Sequence, residues 1–155
     1  MCLISKTNIP LIAEEDIECY KIICLIKNGV WVTPAVRVPI SKDVLDGKVL
    51  LKAEGKKDIV LIHNGNFLYN RYITEDSYKV GKGFIHTFAY GWDAGRDMSR
   101  APEHSALYKC VIPKGTAYLK GYDEYCGYDV FASEAIKFVE FVEDSKMLEA
   151  KYSLL

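Results

Sequence analysis

His86, one of three histidines, sits in the stretch GKGFIHTFAYGWDAGRD at 81–97. An imidazole titrates near neutrality, so a histidine here is a candidate general base or the polar handle of a pocket. On a strand over 83–90, Phe84, His86, Phe88 and Tyr90 share one face, and Gly83, Ile85, Thr87 and Ala89 the other. The leading reading is packing, with His86 hydrogen-bonded inside a core. The functional reading is a pocket floored by the aromatic row, with His86 as its handle and Trp92, Asp93 and Arg96 on its rim. Ligand sites are commonly apolar clefts with a few placed polar groups. A general-base role has no dedicated partner in the sequence.

Other chemistry is sparse. His63 directly precedes Asn64-Gly65 and reads as a hairpin flank, and His104 in APEHS reads as a loop residue. Histidines this far apart make no local metal motif, and no C-x-x-C occurs, so no metal site is expected. Glu14, Glu15, Asp16 and Glu18 read as a solvated lead-in to a strand. Glu140 and Glu143 match no two-carboxylate signature. Lys114 is displayed on the turn IPKG, 112–115, where proline sets φ and glycine supplies the permissive position. The chain has no G-x-x-x-x-G-K-[ST], G-x-G-x-x-G or G-x-S-x-G, so P-loop, dinucleotide-fold and hydrolase readings lack support, and no cofactor is expected.

Composition narrows the partners. The chain has 155 residues, half of them hydrophobic, and 20 basic against 21 acidic side chains. That fits a single globular domain over 1–155 with ample core. Nucleic-acid binding leaves a basic footprint, and none is visible here. Only Arg37, Arg71, Arg96 and Arg100 are arginine, the favoured fork for carboxylate and phosphate, so these four merit more attention than the lysines. No apolar run approaches the roughly 20 residues that span a bilayer. Cys19, Cys24 and Cys110 lie in apolar, strand-like runs, and the odd total of five cysteines reads as reduced thiols. The chain is expected to be soluble and cytoplasmic, without membrane contact.

The elements that would position these groups are mainly strands. IECYKIICLIK, 17–27, is rich in β-formers and apolar on both faces, as a central strand would be. KVLLKA at 48–53 reads as another strand. DIVLIH and NFLYNRYI face each other across Asn64-Gly65, the strongest short hairpin signal. SALYKCVIPKG, TAYLKG and the first part of YDVFASEAIKFVEFVED add further strands. For 135–142 strand is favoured over helix, because valine and phenylalanine dominate. WDAGRDMSRA is expected to form one to three helical turns, stopped by Pro102, and a short helix is expected over roughly 144–151. The sum is a β-rich α+β fold: seven to nine short strands in a mostly antiparallel sheet, with one or two short helices.

CYKII, GFIHTF, YKCVIPKGTAYLKG and VFASEAIKF, in that order, resemble segments of small uncharacterised proteins of phages and gut bacteria. Those proteins carry a Tyr-Lys strand, a Gly-Phe-His segment, an Ile-Pro-Lys-Gly turn and a terminal Ala-Ser-Glu/Asp-x-Ile strand. The resemblance spans 19–138, and the chain departs from it by placing Ile85 between Phe84 and His86. It implies a mobile-element or bacterial accessory protein and no catalytic residues. Two functions from different classes remain, argued from the residues rather than from the resemblance. One is a non-enzymatic module binding a host protein or small ligand through an aromatic surface, with Tyr20 beside the His86 segment. The alternative is a small ADP-ribosyltransferase-like enzyme, which would need His86, Tyr20 and a late carboxylate, Glu134 or Glu140, in one concave pocket.

Overall fold

The computed structural model describes residues 2–26, 29–34, 37–68, 71–100 and 104–146. In chain order the elements begin β1 (Leu3–Ser5), β2 (Leu11–Ile12), β3 (Ile17–Leu25), β4 (Trp31–Val32), α1 (Lys42–Leu45), β5 (Leu51–Lys52), β6 (Ile59–Ile62), β7 (Phe67–Leu68) and β8 (Arg71–Tyr72). They continue β9 (Ser77–Val80), β10 (Ile85–Phe88), α2 (Gly91–Ser99), β11 (Ser105–Ile112), β12 (Ala117–Asp123), β13 (Asp129–Ser133) and β14 (Ala135–Asp144). One twelve-stranded sheet runs β5-β14-β11-β3-β10-β13-β12-β1-β9-β6, with β2 on β12 and β4 on β3, and β7 pairs β8 apart from it. These pairings are antiparallel.

The sheet explains the two-sided apolar pattern of 17–25. Cys19 and Ile23 join one buried cluster, with Ile40 and Val44 of the α1 region, Cys110 and Phe138. Ile22 joins a second, with Phe88, Leu107 and the α2 residues Ala94 and Met98. Successive strand side chains point to opposite faces, so β3 must be apolar on both when both are covered. Each large side chain so buried contributes about 1.5–3 kcal/mol. β3 pairs with β11 over Ile17–Cys24, touches β10 at Tyr20 opposite Phe88, and takes β4 at its end.

Helix α2 covers the second face. Ala94 and Met98, four residues apart, point inward from the same side of the helix. Its entry residue Tyr90 is extended and provides no side-chain cap, while Asp93 in the first turn complements the helix dipole. Gly91 is required by proximity: a Cβ there would lie 2.9 Å from the Tyr20 ring. Gly91→Ala is therefore expected to lift the start of the helix off β3 and cost about 1–2 kcal/mol, seen as a lower urea midpoint at unchanged m-value.

Several expectations need correction. The sheet exceeds the seven to nine strands anticipated, because two-residue strands such as β2, β4 and β5 are too short to leave a periodic signal. The run 48–53 contributes only Leu51–Lys52. The hairpin across Asn64-Gly65 does not form between the expected partners. Gly65 does take the left-handed turn conformation, φ 85°, but β6 pairs with β9, Ile59 opposite Val80. β7 instead pairs locally with β8. The turn thus opens an excursion, 63–76, inserted between two strands of the sheet. Burial supplies the reason: Val80 and Ser77 of β9 are buried beside β6, whereas Phe67 of β7 stays exposed. The strand expected over 135–142 is present within β14, the helix expected from 92 onwards is present as α2, Gly91–Ser99, and the 112–115 turn closes with Thr116 N–H on the Pro113 carbonyl at 3.0 Å. Pro102 and residues 147–151 of the expected terminal helix lie outside the described residues.

Candidate functional site

Two uncovered aromatic side chains flank the start of α2, and Phe67 with Tyr72 makes a second exposed pair on the β7–β8 excursion. Trp92 is 75 % exposed and Tyr90 57 %. Between them in sequence, Gly91 packs down on the Tyr20 ring. Arg96, one helical turn beyond Trp92, holds its guanidinium 5.7 Å from the indole centroid. That spacing is a cation–π contact, and on a helix i and i+4 are neighbours. Asp93 is partly buried in the same turn. Tyr20 donates its hydroxyl to Glu18 Oε2 at 3.3 Å, and Glu18 in turn pairs with Lys109 at 2.9 Å. Burial, then the adjacent Glu18 charge, raises the Tyr20 phenol above its ordinary range, and the Lys109 hydrogen bond lowers the Glu18 carboxyl. The arrangement presents two aromatic rings, one arginine and a short polar strip.

His86 stands apart from this surface. Its side chain is on the Phe88 face of β10, as alternation requires, but the aromatic row ends at Phe88 because Tyr90 leaves the strand for α2. Nε2–H donates to the Gly81 carbonyl at 2.8 Å, which sets the tautomer of the neutral ring, and Nδ1 is buried with no hydrogen-bond partner among the described residues. Burial pushes its pKa down to about 4, and Lys21 adds to the fall. At pH 7 the ring is neutral and its free nitrogen is shut away from solvent. A general base must reach the proton it takes, and this geometry gives His86 a structural part.

The carboxylates of the enzymatic alternative also stay separate. Glu134 Oε2 is 2.8 Å from Lys57 Nζ, and Lys57 also donates to the Gly83 carbonyl and sits 4.7 Å from the Phe84 ring centroid. Glu134 follows Ser133, the partner of Ile85, whereas Tyr20 pairs with Phe88. The two levels are three residues, roughly 10 Å, apart along β10, and the Tyr20 hydroxyl turns to Glu18. Glu140 lies exposed on β14 opposite Lys109.

A further ionisable group was not singled out from sequence. Lys21 is buried in the middle of β3, and its ammonium donates to the His86 carbonyl at 2.8 Å. Desolvation pushes its pKa down to about 8, and the neighbouring Cys110, Cys19 and Cys24 would oppose that shift only as thiolates. Cys19 and Cys110 are directly opposite one another on β3 and β11. Burial raises both thiols, Cys19 to about 12, so neither is a thiolate at neutral pH. The available signal was a lone lysine at the centre of nine strand residues apolar on both sides. Among the described residues no group of three or more His, Cys, Asp or Glu side chains is placed to hold a metal ion.

Compared with protein-family models, with curated proteins and with solved structures, the chain matches none.

Proposed function

We propose that the chain is a non-enzymatic binding module, an accessory protein of a mobile element or bacterium, acting in the cytoplasm on a host protein or small ligand. The observation that carries this reading is the exposure of Trp92 beside Tyr90, with Arg96 stacked on the indole. The same helix gives Ala94 and Met98 to the core, so the outward placement of Trp92 is not a failure of packing. Tyr, Trp and Arg are the side chains enriched at the centres of protein interfaces. Tyr20 and Asp93 frame this surface, while His86 lies apart from it on β10, the strand that leads into α2. A net charge of -1 disfavours nucleic acid as the partner. Five free cysteines, two of them directly opposed across strands, fit a reducing compartment, and no helix among the described residues is long and apolar enough to cross a membrane.

The test compares immobilised wild type with a Tyr90→Ala/Trp92→Ala variant in host-cell extract, beside a nucleotide panel read by tryptophan fluorescence. The expected result is one partner captured by the wild type and lost at least tenfold by the variant. The melting temperature should move by no more than about 1 °C, since exposed positions carry little stability. Equal capture by both proteins, or NAD consumption abolished by Glu134→Gln, would overturn the reading.

A further inference from the structure

Among the described residues Arg71 has no acid opposite it. At the start of β8 its guanidinium lies 4.7 Å over the Tyr122 ring. Gly127, with φ 75°, closes in from another side: a Cβ there would lie 3.0 Å from an Arg71 guanidinium nitrogen. The exposed guanidinium therefore has the Tyr122 ring beneath it and the Gly127 backbone beside one nitrogen. Its N–H edge makes none of the ion pairs or side-chain hydrogen bonds seen among the described residues. A guanidinium fixed in this way is a fork ready for a planar oxyanion.

Arg71 lines a cleft of about 150 Å³ beside β1, β8 and β9. Lys6 and Glu75, also on its wall, pair at 3.1 Å and cancel each other. Arg71 therefore leaves the cleft with one net positive charge. Ser5 and Ser77, both buried, bring hydroxyls to the lining: Ser77 donates to the Glu75 carbonyl, while Ser5 Oγ accepts from Thr7 N–H and keeps its own proton to donate. Ile4, Ile73 and Tyr72 supply the apolar part.

Size and charge choose the ligand class. Drug-sized and nucleotide ligands occupy pockets of roughly 300–1,000 Å³, so a nucleotide is too large. A space of about 150 Å³ holds one benzene-sized group. One net positive charge matches one carboxylate and falls short of a phosphate dianion. We propose that this cleft binds a single carboxylate carried on a short apolar stem, with Arg71 as the fork and Ser5 as an added donor. Such a group comes either as a free small acid or as the C-terminus of a chain ending in an apolar residue.

The proposal is tested by titrating the ¹⁵N-labelled full chain with 3-methylbutanoate and with acetyl-Gly-Gly-Leu, against 3-methylbutanamide and the amidated peptide. The expected result is saturable shifts of the Ser5, Thr74 and Tyr122 amides with the acids and none with the amides. Binding should weaken at least tenfold in Arg71→Gln and less in Arg71→Lys, which keeps the charge and loses the fork. Peptide binding at least tenfold tighter than 3-methylbutanoate would assign the site to chain termini, and the reverse order, or parity, to small acids. Carboxamides binding as well as acids, no saturable shift with either acid, or undiminished binding in Arg71→Gln would overturn it. Should Arg71→Gln not fold, the acid–amide comparison on the wild type decides alone.

Discussion

Lys21→Met is expected to stabilise the protein by about 2 kcal/mol at pH 7, raising the melting temperature by about 5 °C. Lys21 is sealed in the sheet with a backbone carbonyl as its hydrogen-bond acceptor. A fall in pKa from 10.5 to about 8 corresponds to about 3 kcal/mol of bias against the charged form. Below pH 8 both folded and unfolded chains carry the proton, and the cost of burying the charge is felt in full. Between pH 8 and 10.5 the unfolded chain binds more protons than the folded one, so the penalty this residue imposes is progressively lifted as pH rises. Methionine has similar length and no charge to desolvate. The advantage of the variant should thus be greatest near pH 7 and shrink towards pH 10.5. The comparison must be made between the two proteins at each pH, because Cys19 and Cys110 act in the opposite sense. Their raised thiols lose stability in alkali as the unfolded thiols ionise first. Chemical denaturation from pH 7 to 10 reads this directly, and a destabilised variant at pH 7 would show that Lys21 is held by more than its one carbonyl.

The second large effect lies on the acid side. His86 has its pKa lowered from 6.5 to about 4, chiefly by burial, with the Lys21 charge adding to it. As pH falls below 6.5 the unfolded histidine takes a proton that the folded one refuses, so stability drops until about pH 4, by about 3 kcal/mol in total. His86→Gln keeps a donor for the Gly81 carbonyl and cannot titrate. It is expected to be about 1–2 kcal/mol less stable than wild type at pH 7 from imperfect packing, yet to lose about 3 kcal/mol less between pH 7 and 4. Parallel stability curves for the two proteins would place the acid sensitivity elsewhere.

These two residues mark where the sequence was readable and where it was not. The long strands β3, β11, β12 and β14 show in the text because their β-formers run for seven or more residues. The Phe84–His86–Phe88 alternation and the helix after Tyr90 are local patterns too. Lys21 is different, since a strand pattern tolerates one lysine as an edge residue, and only the pairing of β11 and β10 on either side of β3 encloses it. The Asn64-Gly65 turn shows the same limit. The turn chemistry was right, but the partner of β6 was decided by burial against β9, fifteen or more residues away, rather than by the nearest strand. The expected pocket around His86, Trp92, Asp93 and Arg96 divides for a related reason. Two residues beyond Phe88 the chain leaves the sheet, which leaves the half-buried His86 ring bonded to the Gly81 carbonyl and Trp92 exposed on α2.

The strand order also sets how the molecule can be made. β1 lies between β12 and β9, with Leu3 opposite Asp123, and β3 waits for β11. Both neighbours of β1 lie far along the chain, at Val80 and Asp123, so β1 cannot pair until those later strands are present. Pairings between residues so distant in the chain must meet the entropy of closing large loops before any contact rewards them, and proteins dominated by such pairings fold in milliseconds to seconds. Until β11 pairs along its length, β3 has only short contacts with β4 and β10, and an apolar strand left with so open an edge is prone to wrong pairing.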